Sequence, residues 1–213
     1  MKSPKRLYED ADREVLKLKK YTVAEFNRMA TLPHFDELNV TRGTEEVIRV
    51  YKRINKRAKK CFRDIGWAAI DEGLYELDID RPKRPDADDV VKEQLSAYNP
   101  ITKYIYNDEM VRKAERCREG VVASGGRQDL RKTLATNLRY LLMQEVQYGD
   151  CVVDAARLET FKANGVTEVR WVTERDNRVC EECVALNGVI FPVDRVPPKP
   201  HYNCRCHLEP VMD

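Results

Sequence analysis

The cysteines of this chain are concentrated near its C-terminal end. Four of the seven fall within residues 180–213, together with two of the three histidines. Two thiolates with two residues between them, as in Cys-x-x-Cys, can bind one metal ion, and a second pair of donors brought alongside completes a tetrahedron. Such sulfur-rich, four-coordinate sites favour zinc, with iron as the less preferred occupant. We therefore predict a metal site formed by four of five candidate ligands, which are Cys180, Cys183, His201, Cys204 and Cys206.

A small β module, residues 166–213, is predicted around these ligands. Val169 and Trp171 alternate with more polar residues, a pattern that is typical of a short strand. Asn187-Gly188 indicates a hairpin turn ahead of the apolar run 189–191. We expect the Cys-x-x-Cys pair to lie on a tight turn and the hairpin to bring the second pair of ligands alongside it.

The module has too few apolar residues to be stable unaided. Prolines between 192 and 200 forbid regular structure there, and we expect Trp171 to form a small core over the hairpin. Metal binding, worth on the order of 10 kcal/mol, would supply the missing stability. A metal held by four protein ligands has no position left for water, so the site would be structural. Asp176 and Arg178 are expected to hydrogen-bond the turn that carries Cys180.

Three other interpretations of the cluster stay open. A redox Cys-x-x-Cys would need a βαβ context, and the two glutamates between these thiols would raise their pKa. The cysteines would otherwise be free or joined by disulfides. The basic start of the chain has no apolar run behind it, so we expect no export signal and reduced thiols. An HNH-type nuclease would use His201, Asn203 and His207, but in that fold the three residues belong to separate elements.

A helical body is predicted for residues 1–165. Charged residues make up 35% of the chain, which favours long helices with solvated faces. The clearest apolar stripe follows Thr44, a predicted N-cap, and recurs every three or four residues over 47–65. A second stripe covers 130–143. A further helix over 152–162 is expected to end at the Asn-Gly pair that follows it.

The remaining elements of the body are less sharply marked. Weaker helices are expected around residues 8–30, 87–98 and 108–120. Two prolines among alternating charges predict an exposed linker at about 76–88. The predicted fold class is therefore α+β, mainly α, with a helical body at 1–165 and a metal-stapled β-hairpin module at 166–213.

A longer pattern of residues surrounds the candidate ligands. It comprises Trp171, Asp176-x-x-Val-Cys180-x-x-Cys183, Leu186-x-Gly188 and His201-x-x-Cys204-Arg-Cys206. This pattern resembles the tailed-phage head-morphogenesis family, the phage Mu protein F-like minor head proteins, over roughly residues 150–213. Tyr202 stands where the family has a proline.

The resemblance implies a non-enzymatic virion component of a tailed phage or prophage. Such a protein would be assembled in the bacterial cytoplasm and lie inside the head, near the portal protein and other capsid components. It would act in head assembly and in DNA packaging or delivery, since some relatives leave the head with the DNA. No membrane and no small-molecule substrate is implied.

The charges of the chain nearly balance, but one segment is strongly basic. The total is 38 Lys and Arg against 36 Asp and Glu. Eight basic residues and no acid occur from 49 to 63, on the helix face opposite the apolar stripe. They are Arg49, Lys52, Arg53, Lys56, Arg57, Lys59, Lys60 and Arg63. This face is either solvated or contacts an acidic portal surface or packaged double-stranded DNA, and the alternative function is that of a zinc-containing nucleic-acid-binding protein.

Overall fold

The computed structural model describes residues 4–31, 40–94, 108–125, 127–174, 179–201, 204 and 206–212. Its helices are α1 (Pro4–Ala30), α2 (Val40–Leu77), α3 (Ala87–Asp89), a π-helical turn (Val90–Gln94), α4 (Asp108–Val122), α5 (Arg127–Ala163) and α6 (Glu181–Leu186). Its strands are β1 (Glu168–Val172), β2 (Ile190–Pro192) and β3 (His207–Pro210). The predicted α+β, mainly α class is confirmed. No helix in the described part of the chain carries an apolar stretch long enough to cross a lipid bilayer.

The long helices are longer than the sequence pattern predicted. α2 begins at Val40, so the expectation that Thr44 would be its N-cap is wrong. Two helices were expected over 130–162, whereas α5 is one continuous helix of 37 residues. No proline interrupts it, and a single internal Gly149 costs only about 1 kcal/mol, which burial of the neighbouring Tyr148 and Val152 offsets.

The weaker helices are found where they were expected. The helix predicted at 8–30 is part of α1, and the one at 108–120 is α4. Of the helix predicted at 87–98, only 87–94 is described, as α3 and the π-helical turn, and 95–98 lies outside the described residues.

The chain forms two compact units. The terminal unit contains residues 1–13, 62–102 and 147–213, and the middle unit contains 14–61 and 103–146. The predicted boundary at 165/166 separates a helical body from a β module that would each fold independently. The two compact units do not test independent folding, so this boundary stays a prediction.

The middle unit has a helical core. Part of the predicted stripe of α2 lies in it, as does the apolar stripe that begins α5. Phe26 of α1 packs edge-on against Tyr51 of α2, with ring centroids 5.8 Å apart. The buried residues of this core are Phe26, Met29, Val47, Val50, Tyr51, Ile54, Met110, Ala114, Cys117, Val121, Leu130, Leu134 and Leu141.

The terminal unit contains an antiparallel three-stranded sheet of order β2-β1-β3. Val169 and Trp171 of β1 are buried, while the alternate residues Glu168 and Arg170 are exposed. The buried face joins a core of Leu77, Leu158, Phe161, Val166, Val169, Trp171, Cys183, Cys204, Cys206 and Leu208. The first three of these residues belong to α2 and α5, so helices contribute to the core of the sheet.

The turn from α5 into β1 follows from the Asn-Gly pair that was predicted to end the helix. Gly165 has φ +85°, and its N–H donates to the carbonyl of Lys162 at 3.2 Å. The N–H of Val166 donates to the carbonyl of Phe161 at 3.0 Å. These two bonds form a Schellman motif, and both Phe161 and Val166 are core residues, so the predicted C-cap is confirmed.

The segment 78–86, within the predicted linker, has no regular structure and is largely exposed. It is nevertheless attached to the end of α5. The side chain of Asn164 accepts a hydrogen bond from the backbone N–H of Lys83 at 2.7 Å and donates to the carbonyl of Lys83 at 2.8 Å.

A fully buried arginine connects the sheet of the terminal unit to its helices. Arg157 of α5 donates to Glu76 of α2 at 2.5 Å and to the backbone carbonyl of Leu208 in β3 at 2.8 Å. Its guanidinium also lies 5.1 Å from the ring centroid of Phe161. One side chain therefore ties α2, α5 and β3 together.

We expect Arg157→Met to lower the free energy of unfolding by roughly 3 kcal/mol, because the partly buried Glu76 loses its partner. Urea unfolding measures the change. The control Arg139→Met, at an exposed position of the same helix, should cost less than about 0.5 kcal/mol. Equal losses in the two variants would show that the buried contacts of Arg157 contribute nothing.

A second buried charge predicts a pH dependence in the middle unit. Burial raises the pKa of Glu145 to about 7, although its carboxylate accepts a hydrogen bond from Thr22 at 2.6 Å. The folded state then holds this proton more tightly than the unfolded chain, so this carboxyl makes stability fall as pH rises from about 4.5 to about 7.

We therefore expect Glu145→Gln to gain stability relative to the natural protein, by about 1–3 kcal/mol, between pH 5 and pH 8. Urea unfolding at both pH values measures this, with the exposed Glu119→Gln as the control. A difference between variant and natural protein that is the same at both pH values would contradict the prediction.

Candidate metal centre

The Cys-x-x-Cys pair begins a short helix. Cys180 is the N-cap of α6, and its sulfur accepts a hydrogen bond from the N–H of Cys183 at 3.4 Å. Glu181 and Glu182 occupy the first turn, where the helix dipole favours acids. The expectation that this pair lies on a tight turn is therefore wrong. Cys180 instead caps a helix, and the two glutamates stabilise the first turn of that helix.

The predicted hairpin turn at Asn187-Gly188 is also wrong. Asn187 is the C-cap of α6, and Gly188, with φ +81°, leads the chain into β2. β1 and β2 do pair, but the segment between them contains all of α6. A third strand, β3, which the sequence pattern did not predict, pairs with the other edge of β1.

The fold brings all five predicted ligands together. The sulfur of Cys183 lies 3.2 Å from Nε2 of His201 and 3.6 Å from the sulfur of Cys204. Two groups of three donors share Cys183, and within each group the donor atoms lie within 4.8 Å of one another. The groups are Cys180, Cys183 and His201, and Cys183, Cys204 and Cys206.

These distances suit a tetrahedral ion. Zinc–sulfur bonds of about 2.3 Å place two ligand sulfurs about 3.8 Å apart, close to the separation of Cys183 and Cys204. Thiolates and imidazole are also the donors that zinc prefers. The residues present therefore fit a zinc ion, and Cys183 is the donor that both groups have in common.

The centre is buried on one side and open on the other. Cys183, Cys204 and Cys206 are buried, Cys180 is half-buried and His201 is exposed. Burial raises the pKa of Cys183 to about 12. Interaction with the thiol of Cys206, and then burial, raise the pKa of Cys204, while the ammonium of Lys199 lowers it. Without a cation Cys183 and Cys204 hold neutral thiols, so binding a metal through them would release protons.

The geometry also bears on the other interpretations of the cluster. The Cys-x-x-Cys pair follows a strand of an antiparallel sheet rather than lying in a βαβ unit. None of the seven cysteines, all of which the structure describes, forms a disulfide. Outside the centre, Cys117 and Cys151 are buried and Cys61 is half-buried.

The nuclease interpretation needs His207 beside His201. Among the described residues His207 belongs to neither donor group; it lies on β3, and its Nε2 is 3.3 Å from Glu209. Burial lowers the pKa of this histidine. Asn203 lies outside the described residues, as do Asp176 and Arg178, whose hydrogen bonds to the ligand turn stay a prediction.

Comparison with known families settles what kind of region carries this centre. Residues 114–209 match the family model of phage Mu protein F like proteins. Residues 114–209 thus form a region similar to the phage Mu F-like proteins, which we call the Mu F-like region. The match supports a phage head protein, a kind of virion component that associates with other capsid components. No curated protein sequence and no solved structure matches the chain.

The Mu F-like region is longer than the pattern around the ligands indicated. The resemblance read from the sequence covered roughly residues 150–213, whereas the family match begins within α4 and includes all of α5. Helices and centre thus belong to one family region. This agrees with a sheet whose core is completed by residues of α5.

Several cations of the predicted basic face of α2 form ion pairs. Arg49 forms an ion pair with Glu45 at 2.8 Å, Arg53 forms one with Glu46 at 2.8 Å, and Arg63 lies 4.0 Å from Asp88. The three acidic partners lie outside 49–63, so the absence of acids within that range did not reveal these ion pairs. The other predicted contact residues are exposed and form what we call the basic surface: Lys52, Lys56, Arg57, Lys59 and Lys60.

Sequence analysis missed the buried polar residues beside the centre. Arg157 and Asp154 of α5, together with Lys199, are nearly inaccessible to water. A signal was present, because Asp154 and Arg157 interrupt an otherwise apolar stretch over 151–158. Lys199 lies between two prolines, close to the ligand His201. Only the tertiary contacts show that these charges pair.

Proposed function

We propose that this protein is a minor head protein that associates with the portal inside the capsid of a tailed phage or prophage. It would act in head assembly and in DNA packaging or delivery. The Mu F-like region at residues 114–209 carries the proposal. The role is that of a docking component rather than an enzyme, because a centre with four protein donors leaves no position for a reacting water.

We further propose that the centre holds one structural zinc ion. Four of Cys180, Cys183, His201, Cys204 and Cys206 would bind it, and zinc would cross-link the start of α6 to the segment before β3. Iron is a less favoured occupant of such a donor set. Cys183 is the one donor that both groups share, so its loss should affect binding most.

The purified protein should contain about one equivalent of zinc, and Cys183→Ser should contain less than about half an equivalent and melt at a lower temperature. Cys61→Ser, which replaces a half-buried thiol outside the centre, is the matched control and should keep its zinc. Elemental analysis and thermal melting measure the two effects. The metal proposal is wrong if the natural protein contains little zinc or iron and chelators leave its melting unchanged.

The basic surface supports a docking role for the helices. Its five cations are exposed, and they lie on one helix within a run of eight basic residues from 49 to 63. Such a surface gains free energy from an anionic partner. Within a phage head, an acidic portal surface and the phosphates of packaged DNA are the two candidates. A contact with DNA would make this a nucleic-acid-binding protein and would weaken steeply as salt rises.

Co-expression with the portal protein of the same phage should yield a complex that co-purifies. The charge-reversed variant Lys52→Glu/Lys56→Glu/Lys59→Glu should weaken it at least about tenfold, because like charges would then face each other. The exposed triple variant Arg131→Glu/Lys132→Glu/Arg139→Glu on α5 changes the charge equally and should bind as before. Binding is compared by titration of portal protein.

The outcomes separate the two partners. If the natural protein fails to co-purify with the portal protein, portal association is wrong. If it instead binds double-stranded DNA at low salt, and only the α2 variant loses that binding, the nucleic-acid alternative is correct. Fluorescence anisotropy of labelled DNA at several salt concentrations measures this.

A further inference from the structure

A buried lysine lies next to the candidate metal centre. Lys199 belongs to the proline-rich segment between β2 and β3, two residues before His201. Its side chain is only 6% exposed. Lysine is almost never buried without a partner, because an ammonium group removed from water loses its hydration. The contacts of this ammonium should therefore explain why it is buried.

Two segments distant in sequence surround the ammonium of Lys199. Its Nζ lies 3.3 Å from Oδ2 of Asp154, a residue of α5 that is 1% exposed. It also lies over the ring of Tyr8 in α1, 4.1 Å from the ring centroid. The hydroxyl of Tyr8 donates a hydrogen bond to Oδ1 of Asp154. The three side chains thus contact one another, and the carboxyl of Asp150, whose pKa burial raises to about 7, also interacts with the ammonium.

The segment that carries Lys199 has little backbone structure to hold it in place. Residues 195–199 form neither helix nor strand. Pro197, Pro198 and Pro200 have no N–H to donate to a neighbouring element. The buried side chain of Lys199 is therefore an anchor for the backbone on either side of it, including the approach to His201 and Cys204.

We propose that Lys199 is a positioning residue of the Cys/His centre: its ammonium, bound by Asp154 and Tyr8, holds the segment that carries His201 and Cys204 against α5 and α1. The contacts of Lys199 are independent of any metal, but the role rests on the proposed metal centre.

The position of Tyr8 extends this role to the start of α1. Tyr8 and Asp154 are 146 residues apart in sequence, and Lys199 is a further 45 residues along. Residues 1–13 belong to the same compact unit as the centre. The first turns of α1 therefore belong to the support of a centre whose ligands all lie after residue 179.

Lys199→Met tests the proposal, since methionine fills similar space without the charge. The control is Lys162→Met, which removes an exposed lysine of α5. Zinc affinity, measured by competition with a chelator, should fall roughly 10- to 100-fold in Lys199→Met and stay unchanged in the control. The visible spectrum of the Co²⁺-substituted protein should also change, because it reports the arrangement of the ligands and not the stability of the fold.

A second measurement needs no metal. In protein treated with a chelator, iodoacetamide should alkylate Cys204 several-fold faster in Lys199→Met than in the natural protein, because the released segment exposes this buried thiol. Mass spectrometry assigns the alkylated residue. If Lys199→Met does not fold, Tyr8→Phe replaces it as the test, because it keeps the ring and removes the bond to Asp154; its effects should be smaller, about threefold in each measurement.

The two proposals fail in different ways. If the natural protein binds no zinc, the metal centre is wrong, and alkylation of Cys204 alone decides the role of Lys199. If the natural protein binds zinc and the folded test variant matches it in zinc affinity, Co²⁺ spectrum and alkylation, Lys199 has no positioning role. Faster alkylation together with weaker zinc binding supports both proposals.

Discussion

The sheet of the terminal unit has little apolar surface of its own, and the structure around it depends on how that shortage is met. Its three strands are five, three and four residues long. Small domains of this kind bury too small a fraction of their surface to be stable without an added constraint. Two constraints meet the need here. Leu77, Leu158 and Phe161 extend the core from the helices, and three buried cysteines that are potential metal ligands lie in the same core.

Buried charges make the arrangement specific. Arg157 and Lys199 are cations removed from water, and each is paired with a carboxylate from another segment. Such pairs add little to the free energy of unfolding, because removing the two charges from water costs nearly as much as their attraction contributes. Breaking one leaves an unpaired charge in the interior, which is strongly unfavourable. Arg157 thereby disfavours arrangements in which β3 is shifted away from α5. Lys199 does the same for the proline-rich segment that precedes β3.

The family and the geometry describe the same kind of molecule. The Mu F-like region contains a long helix, a sheet packed on it and a cluster of five potential metal ligands, which together can present a defined surface to other capsid components. The basic surface lies on α2, whose residues before 114 lie outside the family match. The two parts of the chain can therefore serve different contacts, one through shape and the other through charge.

The sequence by itself determined the main elements and the five donors of the centre. Helical periodicity located α1, α2, α4 and α5, and the Asn-Gly pair located the end of α5, because these signals depend on neighbours within a few residues. The sequence did not determine that α5 is continuous, that Cys180 caps a helix, or that β3 completes the sheet. It also did not show that Lys199 pairs with Asp154. Those features depend on contacts between residues far apart in the chain, and only the tertiary structure decides which of the possible partners come within reach.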